Sequence, residues 1–300
     1  MRVAISPRSF RQTPGRHLEL LASSGLETRY PTQDRHLTED EMVELVRGCE
    51  SLIVGIDPVT EQVLQAGPLR LVVKYGSGLD NIDLSAADRL GVRVTSTPGA
   101  NSRAVAELTI GMLLALARHL VFHDRSVRRG SWERKTGCEL AGRRLGVVGY
   151  GQVGRRVAHM AGALGMKVIV HDPFVSQAPV DLVSLEELLR TSDAVSLHVP
   201  LTEETRGLVG RRALRTMKPG AFLINTARAG LVDEQALAEA LAEGHLGGAA
   251  LDFIEVTPRG SPLFDHDNFL GSPHAGAATV EAAERAGLAA LEEVLREAVS

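Results

Sequence analysis

Two segments of the sequence place a side chain suited to anion binding or proton transfer directly after an apolar run. The run Ala221–Ile224 leads into Asn225–Arg228, and a later apolar segment leads into His274 among proline and small residues. An arginine fork forms two parallel charged hydrogen bonds with a carboxylate, and an imidazole exchanges a proton near neutral pH. A surface ion pair is the simpler role for Arg228, but its small neighbours leave open space around it. The two segments therefore predict that Arg228 binds a carboxylate and that His274 moves a proton.

A glycine-rich turn, Gly149–Gly154, predicts the binding of a dinucleotide. An apolar strand pattern precedes it, a helical pattern follows, and a second apolar run ends at Asp172. Gly149 permits the tight turn, Gly151 lets the backbone approach the pyrophosphate, and Gly154 lets helix and strand pack closely. Glycines in an ordinary turn would not explain Asp172, a residue that accepts hydrogen bonds from ribose hydroxyls and repels a 2′-phosphate. The segment therefore predicts NAD, and not NADP, as the cofactor.

A second glycine-containing turn, formed by Gly76, Ser77 and Gly78, follows an apolar run that ends at Lys74. Successive backbone amides in such a turn can hold an anion. A plain tight turn is an equally good interpretation of the local sequence. We treat Lys74, Gly76, Ser77 and Gly78 as candidate substrate-binding residues.

The elements that must position these residues alternate between strand-like and helical patterns, which predicts parallel sheets with right-handed crossovers. The dinucleotide motif, with the apolar run that precedes its glycines, begins only near residue 145. Since a domain commonly has about 100–200 residues, the first ~95 residues are expected to form an α/β unit of their own. An apolar-rich helical pattern over Ala104–Leu120 follows Pro98. Its hydrophobicity suits a contact between subunits or a central helix buried in one subunit, and both interpretations stay open. A helical pattern over Val280–Val299 closes the sequence.

Composition excludes several classes of protein. The net charge of the 300 residues is −4, without a basic block, so nothing favours nucleic acid or a membrane surface as a partner. Cys49 and Cys138 are too few for a disulfide framework, and no group of His, Cys, Asp and Glu has metal-site spacing, so we expect no metal. The first residues form a short strand pattern and not the apolar core of a secretion signal. We therefore expect a soluble, cytoplasmic protein.

The combined motifs resemble the D-2-hydroxyacid dehydrogenase family, and most of all its D-3-phosphoglycerate dehydrogenase-like branch without a regulatory domain. The resemblance covers nearly the whole chain and rests on several segments in addition to the glycine-rich turn: 76–83, 106–109, 130–135, 225–228, 250–252 and 272–276. It implies an α/β fold of two doubly wound parallel-sheet domains. These are a Rossmann NAD-binding domain at 99–280 and a discontinuous, flavodoxin-like substrate domain at 1–98 plus 281–300. It also implies a homodimer formed through the helix around 102–121.

The resemblance further implies an NAD-dependent oxidoreductase that interconverts a 2-hydroxy acid and a 2-oxo acid, a small anionic substrate. Arg228 and the backbone around Ser77 and Gly78 would hold the carboxylate, and His274 would act as general acid and base. Asp172 would bind the adenosine ribose and Asp252 the nicotinamide carboxamide. The full set of expected cofactor-binding residues is Gly149, Gly151, Gln152, Val153, Gly154, Asp172, His198, Val199, Pro200, Thr226, Ala227, Arg228, Asp252, His274 and Gly276.

The sequence departs from the family pattern at the glutamate that orients the catalytic histidine. Thr257 stands at that position, and Glu255 comes two residues earlier. Either Glu255 takes over the role as a third catalytic residue, or His274 works without a carboxylate partner. The branch's substrate-phosphate arginine is also missing, since Gly55 and its neighbours stand there, which leaves Lys74, Arg134 and Lys135 as basic candidates. The alternatives are therefore a dehydrogenase of a phosphonate or another unusual anion, and a catalytically weak NAD-responsive binding protein of the co-repressor type.

Overall fold

The computed structural model of the protein describes residues 1–252 and 260–299. Its strands are β1 (Arg2–Ile5), β2 (Glu27–Arg29), β3 (Ser51–Val54), β4 (Leu71–Lys74), β5 (Arg93–Ser96), β6 (Arg144–Val148), β7 (Lys167–His171), β8 (Asp181–Leu182), β9 (Ala194–Leu197), β10 (Phe222–Asn225), β11 (Gly248–Leu251) and β12 (Phe269–Gly271). Its α-helices are α1 (Arg8–Gln12), α2 (Arg16–Ser23), α3 (Glu39–Val46), α4 (Glu61–Gln65), α5 (Leu84–Arg89), α6 (Ser102–Ala117), α7 (Leu120–Arg128), α8 (Gln152–Ala163), α9 (Leu185–Thr191), α10 (Arg211–Thr216), α11 (Glu234–Ala242) and α12 (Val280–Val299).

The chain divides into two compact units, and the predicted α/β fold class is confirmed in both. The first unit combines Met1–Asn101 with Ala277–Ser300. Its strands pair in parallel in the order β2-β1-β3-β4-β5. Strands β3 and β4 are wholly buried, which explains their continuous apolar runs, because a parallel strand covered on both faces has no solvent side. Helix α12 packs Leu291 and Val294 against one face of this sheet, so both ends of the chain share one core.

The second unit, Ser102–Gly276, contains the glycine-rich turn. Its strands pair in parallel in the order β12-β11-β10-β9-β6-β7-β8. The chain enters the sheet at β6, runs outward through β7 and β8, then returns to the other side of β6 at β9. This reversal is the point at which open α/β sheets bind ligands, beyond the carboxyl ends of the strands. The loops that follow β6 and β9 therefore lie where a dinucleotide is expected.

The apolar pattern predicted as one helix over Ala104–Leu120 is divided in the structure. Helix α6 ends at Ala117, and His119 adopts a left-handed conformation (φ 50°) before α7 begins. Side chains of α6, including Met112 and Leu113, lie in the core of the second unit, so packing within the unit accounts for much of its hydrophobicity. Within the described residues no single helix is long and apolar enough to cross a membrane. Helices α6 and α7 reach that length only together, and they are bent by 65°.

Candidate active site

The turn between β6 and α8 is shaped by its three motif glycines. Gly149 has a φ of +92°, a conformation that L side chains rarely adopt. A Cβ on Gly154 would lie 2.0 Å from the Gly149 carbonyl oxygen, so this position excludes any side chain. Gly151 caps α8, and a Cβ there would meet nothing within 4 Å. The open space at Gly151, next to the amide groups of a helix start, fits a pyrophosphate.

The carboxylate of Asp172 lies at the end of β7 and is bonded to the glycine-rich turn. Its Oδ2 accepts from the Tyr150 amide at 2.7 Å, and its Oδ1 accepts from the Phe174 amide at 2.9 Å. A carboxylate has about four acceptor sites, so two remain to accept from ribose hydroxyls. The residues present thus fit the adenosine side of NAD.

The loop after β9 packs directly on the glycine-rich turn. The His198 amide donates to the Val148 carbonyl at 2.7 Å, and a Cβ on Gly149 would lie 2.7 Å from the His198 carbonyl oxygen. A Cβ on Gly149 would also lie 2.9 Å from Cγ1 of Val199. The Pro200 carbonyl accepts from the Thr205 hydroxyl at 2.7 Å. The His198 ring lies 2.8 Å from the Ser196 hydroxyl. Removal of this ring from water lowers its pKa to about 3, so the imidazole is neutral at physiological pH.

Arg228 lies in a turn whose shape is set by the buried Asn225. The Asn225 Nδ2 donates to the Arg228 carbonyl at 2.7 Å, and its Oδ1 accepts from the Ala227 amide at 3.0 Å. Thr226, at 8% exposure, bonds through its hydroxyl to Thr109 of α6 at 2.8 Å. The Arg228 Nη1 donates to the Ala227 carbonyl at 2.9 Å. This side chain–backbone bonding closes the turn directly after β10.

His274 lies in a loop that is hydrogen-bonded to the buried Asp252. The carboxylate of Asp252, only 3% exposed, accepts from the Ser272 hydroxyl, from the Ala275 amide at 2.7 Å and from the Gly276 amide at 2.8 Å. The His274 amide donates to the Asp252 carbonyl at 2.7 Å. His274 has a φ of 54°, which is uncommon outside glycine and costs about 1–2 kcal/mol. The hydrogen bonds to Asp252 offset that cost, and they fix the position of the backbone from which the imidazole extends.

The loops that carry Arg228 and His274 meet at one edge of the sheet. Strands β10 and β11 are neighbours, and the Asp252 amide donates to the Asn225 carbonyl at 2.9 Å. The structure therefore brings these two segments together, as their positions after apolar runs predict. Glu255 and Thr257 lie outside the described residues, so the role of Glu255 stays a prediction.

In the first unit, the candidate anion turn follows β4. The Gly76 amide donates to the Thr97 hydroxyl at 2.8 Å, and Ser77 is exposed while Gly78 is half-buried. Lys74 is 4% exposed, and its Nζ donates to the Gly55 carbonyl at 2.6 Å and to the Asn81 side chain. Lys74 thus links the end of β4 to the residue that follows β3 and to Asn81.

The two basic candidates in the second unit differ in their surroundings. The ammonium of Lys135 pairs with Asp267 at 3.2 Å and lies 4.0 Å from the centre of the Phe122 ring. Arg134 and Lys135 are both exposed. The difference is that the ammonium of Lys135 is held by an ion pair.

Sequence reasoning missed several residues that shape the site. Arg155 donates to the Tyr150 carbonyl at 2.9 Å, so Tyr150 is bonded through its amide to Asp172 and through its carbonyl to α8. Ser272 and Thr109 lie within segments that carry the family resemblance, but nothing in the local sequence indicates their hydrogen-bonding partners. Their proximity to Asp252 and Thr226 depends on contacts between distant parts of the chain.

Comparison with known proteins agrees with this geometry. Residues 110–276 match the model of the D-isomer specific 2-hydroxyacid dehydrogenase family, NAD binding domain. The chain is 41% identical over 272 residues to hydroxypyruvate reductase of Thermotoga maritima, with 87% of this chain and 89% of that protein covered. It is 40% identical over 269 residues to D-3-phosphoglycerate dehydrogenase of Methanocaldococcus jannaschii, covering 86% of this chain but about half (51%) of that protein.

Solved structures give the same result over nearly the whole chain. The TT0316 protein of Thermus thermophilus superposes with a TM-score of 0.91 at 40% identity, covering 98% of this chain and 96% of that one. The NAD⁺-bound 3-phosphoglycerate dehydrogenase of Entamoeba histolytica superposes with a TM-score of 0.85 at 29% identity, covering 98% and 94%. The glycine-rich turn, the carboxylate after β7 and these matches lead to one conclusion: the chain is an NAD-binding enzyme that belongs to the D-isomer specific 2-hydroxyacid dehydrogenase family.

Proposed function

We propose that the protein interconverts a small 2-oxo acid and the corresponding 2-hydroxy acid with Arg228 and His274 as the catalytic residues. The observation that supports this most is the pairing of β10 with β11, which holds the Arg228 turn and the Asp252-anchored His274 loop at the same sheet edge. Both loops belong to the unit that contains the dinucleotide turn.

In this mechanism Arg228 binds the substrate carboxylate through its planar fork and polarises the 2-oxo group. His274 donates a proton to the oxygen as it gains negative charge, and takes the proton back during oxidation. NADH, when bound, supplies the hydride for carbon 2. Gln152 and Val153 at the start of α8 would hold the pyrophosphate, and Asp172 the ribose.

The remaining cofactor contacts are proposed from the loops around the same sheet edge. They are the strand-end residues His198, Val199, Pro200, Thr226, Ala227, Asp252 and Gly276. Since three acceptor positions of the Asp252 carboxylate are used by the loop that carries His274, about one remains for a carboxamide N–H.

We propose residues 1–98 plus 281–300 as the substrate domain and 99–280 as the NAD-binding domain. In the first of these, the Gly76–Gly78 turn is the proposed anion-binding segment. For the substrate we favour an unphosphorylated acid such as hydroxypyruvate over a phosphorylated one. Lys74 is buried against backbone and amide oxygens, and Lys135 is paired with Asp267. Of the three basic candidates, this leaves only the exposed Arg134 to bind a phosphate.

The test is NADH oxidation followed at 340 nm with hydroxypyruvate, glyoxylate, pyruvate, 3-phosphohydroxypyruvate and a phosphonate analogue. His274→Gln should lower kcat by about 10²–10⁴ with little change in the Kd for NADH, whereas His159→Gln, an exposed helical position, is the matched control. Arg228→Lys keeps the charge but loses the fork, so it should raise KM and lower kcat together. Near-native turnover by His274→Gln would contradict the proposal. NADH binding without turnover of any acid would instead favour the NAD-responsive binding protein.

We also propose a homodimer formed through α6 and the segment after it, in a cytoplasmic protein. Large apolar side chains are exposed along this part of the chain, namely Leu114 (36%), Leu120 (54%), Val127 (56%) and Trp132 (78%). Leu114→Arg should reduce the mass measured by sedimentation to that of a monomer. Leu164→Arg changes a leucine of similar exposure (38%) elsewhere in the same unit and should leave the mass unchanged.

A further inference from the structure

The hydroxyls of two threonines that are far apart in sequence are hydrogen-bonded to each other inside the second unit. Thr109 of α6 and Thr226 at the end of β10 lie with their Oγ1 atoms 2.8 Å apart, although 117 positions separate them in the chain. Thr109 is 1% exposed and Thr226 is 8% exposed. A buried hydroxyl is costly unless it is hydrogen-bonded, so each of these groups depends on its partners.

The direction of the bond follows from the second partner of Thr109. Its hydroxyl donates to the Val105 carbonyl, one turn earlier in α6, at 2.8 Å. A hydroxyl has a single proton to donate, so the Thr109 oxygen must accept from the hydroxyl of Thr226. The result is a chain of bonds from Thr226 to Thr109 to the backbone of α6.

This chain holds in place a turn whose shape is set separately. The side chain of Asn225 closes the turn internally by bonding the Ala227 amide and the Arg228 carbonyl. Those bonds determine the shape of the turn but not its position relative to the helix. Strand pairing holds Asn225 at the end of β10, and the Thr226–Thr109 bond adds a direct link between the second residue of the turn and α6.

We propose that Thr109 is a positioning residue for Arg228, acting through the hydroxyl of Thr226. The inference rests on the proposed role of Arg228 in binding the substrate carboxylate. A valine at position 109 keeps the shape of threonine but removes the acceptor, which leaves the buried Thr226 hydroxyl without this bond. The turn then shifts or loosens to find another partner, and the arginine fork at its end loses alignment with the carboxylate.

The first experiment compares Thr109→Val with Thr109→Ser in steady-state reduction of the best 2-oxo acid. Thr109→Val should lower kcat/KM about ten-fold, which corresponds to about 1.4 kcal/mol, and divide the loss between KM and kcat as Arg228→Lys does. Thr109→Ser restores the hydroxyl and should stay within about three-fold of wild type. The Kd for NADH, measured by fluorescence, should change less than the KM for the 2-oxo acid. The Tm should fall by no more than a few degrees, because one buried hydroxyl loses its partner.

The matched control is Thr191→Val in α9. Thr191 bonds the carbonyl four residues earlier at 2.8 Å, as Thr109 does. It precedes the amino end of β9, whereas the turn follows the carboxyl end of the parallel strand β10. It should retain wild-type kcat/KM. If Thr109→Val does not fold, Thr226→Val removes the donor of the same bond and should lower kcat/KM for the 2-oxo acid to a similar extent. Its Kd for NADH is not part of this expectation, because Thr226 is itself a proposed cofactor contact.

The second experiment combines Thr109→Val with Arg228→Lys. If Thr109 acts through Arg228, the double variant should be less than about two-fold worse than Arg228→Lys alone, because coupled residues are not additive. Multiplicative losses would overturn the inference, as would a Thr109→Ser variant as impaired as Thr109→Val. An impaired Arg228→Lys beside a normal Thr109→Val overturns this inference and leaves the proposed function standing. A fully active Arg228→Lys overturns the proposed function and this inference with it.

Discussion

At the residue scale, we expect the carboxylate of Asp172 to set the choice between the two nicotinamide cofactors. It is held by the amides of Tyr150 and Phe174, so it is already in place before a cofactor binds. Like charges a few ångströms apart in a partly desolvated site repel by about 1–4 kcal/mol. This corresponds to a preference for NADH over NADPH of about five-fold to several hundred-fold.

Asp172→Asn removes the charge and keeps an oxygen that can accept one backbone amide. We expect the ratio of kcat/KM for NADH to that for NADPH to fall by ten-fold or more. Asp181→Asn, an exposed carboxylate on the neighbouring strand β8, controls for the change in net charge. Equal efficiency of the wild-type enzyme with both cofactors would contradict this account.

The buried ring of His198 leads to a second prediction at this scale, which concerns how the free energy of unfolding depends on pH. Its pKa of about 3 in the folded protein lies below the value near 6.5 of an unfolded chain. Between these values the unfolded state binds a proton that the folded state does not, so the free energy of unfolding falls as pH falls. The contribution of this one group is at most about 1.4 kcal/mol per pH unit.

Urea unfolding at pH 7, 6 and 5 measures this dependence. The slope of wild type below pH 6.5 should be steeper than that of His198→Gln, while the two slopes should agree above pH 7. Parallel curves throughout this range would contradict the prediction, because they would mean that His198 binds its proton equally in the folded and unfolded states. His159→Gln again serves as the control for loss of a histidine.

At the element scale, substitutions at two glycines of helix α8 distinguish a residue needed for cofactor binding from one that affects only the stability of the helix. A Cβ at Gly154 would lie 2.0 Å from the Gly149 carbonyl oxygen, while a Cβ at Gly162 would meet nothing within 4 Å outside the helix's own backbone. Gly154→Ala should therefore displace the turn and weaken NADH binding at least ten-fold. Gly162→Ala should leave binding unchanged and raise stability by up to about 1 kcal/mol. Titration with NADH and thermal unfolding distinguish the two, and similar effects of both variants would contradict the steric argument.

At the scale of the whole molecule, the first unit depends on the end of the chain. Leu291 of α12 is fully buried with Val3, Ile53 and Leu71 from three strands of the sheet. Leu291→Ala should lower the free energy of unfolding by about 2–5 kcal/mol, the usual range for this change in a core. Val299→Ala, at a side chain 90% exposed, should have little effect. Urea unfolding followed by circular dichroism measures both, and equal stabilities would show that α12 is dispensable to the core.

Local patterns in the sequence were sufficient for the elements that carry the cofactor site and for two inner strands of the first unit. The apolar runs at β3, β4, β6 and β7 predict buried parallel strands, and the glycines with Asp172 predict NAD, because their spacing is set by one strand, one turn and one helix. The final helix over Val280–Val299 is likewise visible from its own period. These features depend on residues a few positions apart, where backbone geometry alone relates sequence to structure.

The tertiary structure alone decided which of these elements are neighbours. The short edge strands β2, β8 and β12 have too few residues to show a period of their own, and they form because a neighbouring strand offers hydrogen-bonding partners. The bond between Thr109 and Thr226, and the Asp252 carboxylate beneath the His274 loop, join residues 117 and about 20 positions apart. Such contacts depend on strand order and register, which follow from packing of the whole unit and not from any local period. The sequence by itself thus determined the cofactor and the chemical groups, and the fold decided how those groups are held.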